Sequence, residues 1–300
     1  MEIIIKVPAT SANLGPGFDV SGMALDKYNV FHFKPADSWS VVCSVDEDVM
    51  DNLIVYAMGY TYEKLGLPAR PAAIVVEEGI PISHGIGSSS SCICAGVAAA
   101  LILSDVEPTI ERIIHYSTAI EGHPDNVVPA VLGNLTSTII ADGKVIYTMR
   151  TVHDSLKIIL LVPDFKYSTE VARKLLPHDI PRQDAIFNMS RIPLLIDALE
   201  SGHTENLKIF LEDRLHQKYR MRAIDQINHK YTEAFNFANE ITAGAYISGA
   251  GPTIAAFVHE TAAKAVLAEI QQYLSANHLH WEASITSPIK SGITIDIVQS

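Results

Sequence analysis

The chain has 300 residues, 48% of them hydrophobic, enough to bury an apolar core without disulfides and to form one large or two medium domains. Acidic residues number 34 against 22 basic, a net charge of −12 with histidine neutral, which argues against nucleic acid and anionic membrane surfaces as main partners. A small anion is not excluded, because a local glycine-rich site can overcome the global charge.

Residues 2–7, EIIIKV, are β-branched and run to Pro8, which predicts a strand. The next stretch, ATSANLGPGFD, reads as a loop. Residues 28–33 and 39–45 read as further strands. Residues 52–65 carry Leu53, Tyr56, Ala57, Tyr60 and Leu65 at helical spacing, and Gly66 stops them. Residues 72–77 form a strand, followed by a polar loop, PISHGIGSSSS, and an alanine-rich helix over 91–103. Thr109 caps a helix that runs to Glu121. HPDN then breaks the pattern, apolar and small residues resume over 127–140, and Asp142-Gly143 marks a hairpin. KIILLV, residues 157–162, is an apolar strand that opens a second domain near residue 155. This divides the chain into 1–155 and 156–300. Helices follow near 169–176, 184–200, 204–215 and 223–241. Strands at 245–248 and 253–258 flank a GAGP turn, and a helix over 260–274 precedes strands at 281–286 and 293–298. Both halves mix strands and helices without βαβ regularity, which predicts an α+β fold.

The three cysteines, Cys43, Cys92 and Cys94, are too few for a disulfide framework and suit a reducing compartment. No second pair completes a tetrahedral metal site with Cys92 and Cys94. The N-terminus, MEIIIKVPAT, lacks the basic and long apolar regions of a signal peptide. The longest apolar run, 93–103, is too short to span a bilayer. The expectation is a soluble cytoplasmic protein with no membrane partner.

Four segments carry candidate chemistry. In Pro81-Ile82-Ser83-His84-Gly85-Ile86-Gly87-Ser88-Ser89-Ser90-Ser91 the two glycines let backbone approach a ligand, and the following helix aims its N-terminus at it. This suits phosphate, although neither the G-K-[ST] of a Walker loop nor a third Rossmann glycine is present; a serine-rich helix cap is the plain alternative. The loop around Asn13 and Asp19 reads as a rigid polar surface or as an ordinary turn with Asx caps. Glu121-Gly-His123-Pro-Asp125-Asn126 offers a Mg²⁺ ligand and substrate-orienting groups, or a helix end with a surface turn. Ser248-Gly249-Ala-Gly251-Pro252-Thr253 is a tight turn between strands.

Their order and spacing resemble the GHMP small-molecule kinases along nearly the whole chain. The family motif P-x-x-x-G-L-G-S-S-A-A stands here as PISHGIGSSSS, with Ile86 for Leu and Ser90 and Ser91 for Ala. PATSANLGPGFD and EGHPDN resemble the branch that acts on L-homoserine. The resemblance implies a two-domain fold, with an N-terminal ribosomal-protein-S5-like domain that binds ATP and a C-terminal ferredoxin-like domain. It implies ATP and Mg²⁺, with transfer of phosphate to the side-chain hydroxyl of L-homoserine, and it suggests a homodimer. Residues 81–91 would wrap the triphosphate, with Ser89 and Glu121 near Mg²⁺ and Asn52 and Leu53 near adenine. Asn13, Asp19, His123, Asp125 and Asn126 would surround the amino acid. Thr169 and Arg173 match a T-x-x-A-R element, Arg220 stands at a second arginine position, and Gly249 would close the site. Asn126 cannot take a proton, and Asp125 is a base only if it points inward. A sister kinase for another small alcohol and a catalytically silent sensor on the same fold remain as alternatives.

Overall fold

The computed structural model describes residues 1–44 and 48–299, the side chain of Thr169 apart. In chain order the first elements are β1 (Glu2–Ala12), β2 (Ser21–Pro35), β3 (Ser40–Val42), α1 (Leu53–Leu65), β4 (Ala72–Glu77), α2 (Ser88–Leu103) and α3 (Ile110–Glu121). They continue with α4 (Pro124–Leu132), β5 (Leu135–Ala141), β6 (Lys144–Arg150), β7 (Leu156–Val162), α5 (Thr169–Lys174), α6 (Arg182–Ser201) and α7 (Leu207–Phe210). The last are α8 (Gln217–Asp225), α9 (Tyr231–Ile241), β8 (Gly244–Ile247), β9 (Ile254–His259), α10 (Ala263–Ala276), β10 (Glu282–Thr286) and β11 (Thr294–Val298).

One sheet runs β11-β1-β2-β4-β3, extended by β5 on β2 and β6 on β5; a second runs β10-β7-β9-β8. All pairs are antiparallel except β3–β4. The fold is therefore α+β. The expected division near residue 155 falls between β6 and β7, which lie in different sheets. The stretch 156–300 is not one unit, however: β11 pairs with β1, from Glu2↔Val298 to Lys6↔Thr294. The chain's last strand thus belongs to the first sheet.

Several local expectations change. β1 does not end at Pro8: its register shifts between Pro8 and Ala9 and it continues to Ala12. A proline, lacking the ladder N–H, is tolerated at such a bulge. Thr10 and Ser11 therefore sit in the sheet, and the polar loop is only 13–20. β3 is shorter than the expected 39–45, of which Val45 lies outside the described residues. HPDN does not interrupt structure but opens α4: His123 is its N-cap, Pro124 sits where a helix tolerates proline, and Asp125 lies in the favourable first turn. Residues 127–140 split at Gly133 into the rest of α4 and β5.

α2 explains its own composition. It is buried on nearly every side, among Ile3, Ile5, Phe31 and Phe33 of the sheet and Ile54 and Met58 of α1. A Cβ at Gly96 would come within 2.7 Å of the Ile54 carbonyl oxygen, so only small residues let α1 approach. A further apolar cluster joins the two sheets, with Ala9, Leu14, Met23 and Ile86 packed with Ile158, Leu160 and Phe257. No helix among the described residues is long and apolar enough to cross a membrane.

Candidate active site

A cavity of about 340 Å³ opens where the two sheets' loops meet. Its lining sorts by chemistry. Leu53, Ile54 and Val76 are apolar, with Asn52 and Cys43 beside them. Gly85, Gly87, Ser88, Ser89 and Glu121 offer backbone, hydroxyl and carboxylate. Asn13, His123, Asp125, Asn126, Arg173 and Arg220 are polar or charged, with Gly249 among them.

Helix α2 begins at Ser88, earlier than the expected 91, because Gly87 at φ 77° is its N-cap. The N–H groups of its first turn have no partner within the helix and carry the positive end of its dipole. That turn holds no acidic residue of its own, and the Glu121 carboxylate reaches it from α3 through Ser89 and Ser90. The loop before it is pinned from both sheets. Thr10 N–H donates to the Ile86 carbonyl at 3.2 Å, and Thr253 N–H to that of His84 at 3.3 Å. Ser248 Oγ donates to the Gly85 carbonyl at 2.7 Å. Gly85 at φ 76° leaves no room for a side chain.

The four serines divide. Ser88 and Ser89 line the cavity. Ser90 Oγ, buried, donates to Glu121 Oε1 at 3.1 Å, and Ser91 Oγ donates to the Ser88 carbonyl at 2.7 Å. Of the segment expected to wrap a triphosphate, Ile82, Ser83, Gly85, Gly87, Ser88 and Ser89 face the cavity. Ile86, Ser90 and Ser91 are buried instead, as successive positions of a turn and helix must point different ways, and Pro81 and His84 line a separate outer groove. Asn52 caps α1, its Oδ1 accepting from Ile54 N–H at 3.0 Å.

Glu121 is the last residue of α3, where the dipole disfavours an anion. Among the described residues its oxygens meet hydroxyl donors only, Ser89 Oγ at 2.9 Å and Ser90 Oγ at 3.1 Å. This is a hard, oxygen-only donor set.

Asp125 is 1% exposed, and its Oδ1 lies 2.7 Å from His123 Nδ1. Burial works to lower the His123 pKa, but the hydrogen bond and charge of Asp125, with Glu121 nearby, raise it above the usual 6.5. A raised folded value means the charged pair contributes its full stabilisation below the ordinary histidine range. It loses it as pH rises through the folded value. We expect the melting-temperature difference between the native chain and Asp125→Asn to shrink from about pH 6 to about pH 9. A difference constant with pH would show that His123 is not charged.

Asn126 Oδ1 accepts from Thr10 Oγ1 at 2.8 Å, so its amide N–H₂ is the end left for a ligand. Arg173 makes a two-pronged pair with Asp19, at 2.8 and 3.0 Å. Asp19 is thereby held beside the cavity and is not itself part of its lining. Arg220 is 2% exposed and donates to the Gly249 carbonyl and to His216. Burial is the chief reason its pKa falls to about 10. Asn13, at φ 58°, spends both ends of its amide on backbone: Nδ2 on the Gly249 carbonyl and Oδ1 on Asp19 N–H. It therefore clamps the loop as well as lining the cavity. Thr169 begins α5, and its side chain lies outside the described residues.

Sequence reasoning missed Thr10's bond to Asn126, and it missed Asn29. The latter's Oδ1 accepts from the N–H groups of Gly79 and Ile80, and its Nδ2 donates to Ser91. An asparagine set among Tyr28, Val30, Phe31 and Phe33 is the signal that could have found it.

Family models place the chain among the small-molecule kinases of the GHMP class. Residues 52–134 match the GHMP kinases N terminal domain and 195–276 the GHMP kinases C terminal. The chain is 38% identical to a homoserine kinase of Clostridium botulinum (strain Eklund 17B / Type B), covering 93% of both chains. It is 37% identical to that of Caldicellulosiruptor bescii, covering 99% of this chain and 98% of the relative. The solved homoserine kinase of Cytophaga hutchinsonii shares the fold at TM-score 0.80 and 21% identity, over 98% and 97% of the two chains. Methanococcus jannaschii mevalonate kinase does so at 0.66 and 16%, over 96% and 99%. The chain belongs to the homoserine kinases of the GHMP kinase family.

Proposed function

We propose that this protein transfers the γ-phosphoryl group of ATP to the side-chain hydroxyl of L-homoserine, giving O-phospho-L-homoserine on the route to threonine. One observation carries this reading: a single cavity joins Ser88, Ser89 and Glu121 to Asn126, Arg173 and Arg220. The first set suits a triphosphate. The arginines suit a carboxylate, and Asp19, already bound to Arg173, suits an ammonium. A sugar or mevalonate has no ammonium to offer.

Ser89 and Glu121 fit Mg²⁺, which takes oxygen ligands and is commonly held by one or two carboxylates together with substrate phosphates. Bound there, the ion would neutralise charge on the transferring phosphates. The first turn of α2 holds the phosphate oxygens through N–H groups. Asn126 orients the hydroxyl oxygen by donating to it, and cannot remove its proton. Asp125 is spent on His123, and its charge also faces Arg173 and Arg220, which suits a substrate-holding anion better than a base. Catalysis on this reading is alignment and charge stabilisation, which phosphoryl transfer chiefly requires.

Coupled ADP release with L-homoserine, mevalonate and a sugar tested in parallel checks the substrate; turnover should be confined to L-homoserine. For the roles, Asn126→Ala should lower kcat by about 10- to 100-fold, whereas Asp125→Asn should act mainly on the KM for the amino acid. Full kcat in Asn126→Ala, with a loss of several orders in Asp125→Asn, would reverse the assignment.

A further inference from the structure

His216 opens the HQKYR segment that carries Arg220; the sequence assigns it no role, yet it is 0% exposed and stands between the site's two halves. It precedes α8, and its ring touches both Arg220 and the loop that carries Asn13 and Asp19. Arg220 Nη1 lies 3.1 Å from His216 Nδ1, and His216 Nε2 lies 2.8 Å from the Gly15 carbonyl oxygen. A guanidinium can only donate and a carbonyl can only accept. The two partners therefore fix the tautomer: Nδ1 is the acceptor, Nε2 carries the proton, and the ring is neutral.

The surroundings hold that ring in one place. Its face stacks on Phe18 at 5.3 Å, and the Arg220 guanidinium lies over the same Phe18 ring, also at 5.3 Å. Asp213 fixes the turn before α8 by accepting from the N–H groups of Leu215, His216 and Gln217. Asn188 Nδ2 donates to both Asp213 and the Pro16 carbonyl. Gly15 and Pro16 are thus both tied to the second half of the chain. Gly15 takes φ 50°, and a Cβ there would come within 2.6 Å of the Leu211 carbonyl oxygen.

We infer that His216 is a positioning residue for the amino-acid end of the site: as a neutral imidazole it sets the Arg220 guanidinium and the Gly15–Asp19 loop at a fixed distance from each other. Resting on the substrate reading above, this assigns His216 the spacing between the group that takes the carboxylate and the group that takes the ammonium. Burial and the neighbouring Arg220 agree with the neutral ring, since together they outweigh Asp213 and bring its pKa down to about 4.

The test compares His216→Phe, which keeps the stack on Phe18 and deletes both hydrogen bonds, with His216→Asn, which keeps an acceptor near the Nδ1 position. Steady-state kinetics with ATP should show the KM for L-homoserine rising about 10-fold or more in His216→Phe. The KM for ATP should stay within about twofold, and kcat at saturation should change less than the homoserine KM. His216→Asn should recover part of the loss. A merely structural role lowers the active fraction, and so kcat, without moving the homoserine KM, and that result overturns the inference. So does a parallel rise in both KM values, or an Asn variant no better than Phe. If His216→Phe does not fold, His216→Gln, which keeps a donor toward the Gly15 carbonyl, takes its place with the same expected split. The native chain run alongside separates the two readings. No turnover of L-homoserine by the native chain defeats the substrate reading. An unchanged homoserine KM in the variant of an active enzyme defeats this one.

Discussion

Replacing Glu121 by Gln should lower kcat by about 100- to 1000-fold, the scale seen when one preorganised electrostatic group is removed from a transition state. The substitution keeps shape and volume. It keeps an acceptor for Ser89 or Ser90, whose hydroxyls now lie at 2.9 and 3.1 Å, so the fold should tolerate it. What it removes is the negative charge at the C-terminus of α3, where a helix gives an anion no support. The first turn of α2, through Ser89 and Ser90, already meets that charge, and a cation arriving with the nucleotide would use it. The KM for L-homoserine should therefore stay near that of the native chain, while the Mg²⁺ concentration needed for half-maximal rate rises. A Gln variant with native kcat at low Mg²⁺ would remove Glu121 from the metal's shell.

Gly85→Ala should abolish productive nucleotide binding, raising the KM for ATP by about 10- to 100-fold or leaving no measurable activity. Two costs add. At φ 76° an L-residue is strained by about 1–2 kcal/mol. The new Cβ would also meet the Ser248 carbonyl oxygen at 2.4 Å and that of Gly251 at 2.7 Å. Both obstacles are backbone, so neither can swing aside. The loop can admit the methyl only by withdrawing from the SGAGPT turn, which breaks the Ser248–Gly85 hydrogen bond of 2.7 Å. An Ala variant with a native KM for ATP would show that this contact does not shape the phosphate site.

Much of this was legible in the sequence for a physical reason. Gly85, Gly87 and the serines after them combine positive φ with a helix start, a combination that suits an anion cradle. Glu121, His123 and Asn126 are interleaved with Gly122 and Pro124, which end α3 and open α4. What stayed hidden depended on partners distant in the chain. That Ser89 faces the cavity while Ser90 is buried, though both donate to Glu121, follows from where α2 meets α3. Thr10 reaches Asn126 only because β1 runs on past Pro8. The return of β11 to β1 pairs residues at opposite ends of the chain, and no local pattern encodes that. His216 reads locally as an ordinary buried histidine before a helix; its meaning comes from Gly15, far off in sequence, and from Arg220. The net charge of −12 remains a sound argument against nucleic acid. It said little about the cavity, which is lined by the start of α2, by serine hydroxyls and by two arginines.

Phosphorus NMR of the native chain with ATP, Mg²⁺ and L-homoserine follows the phosphoryl transfer itself. The γ-phosphate signal should give way to one phosphomonoester resonance, matching authentic O-phospho-L-homoserine, together with stoichiometric ADP. ADP accompanied only by inorganic phosphate, or ATP left intact beside L-homoserine, would contradict it.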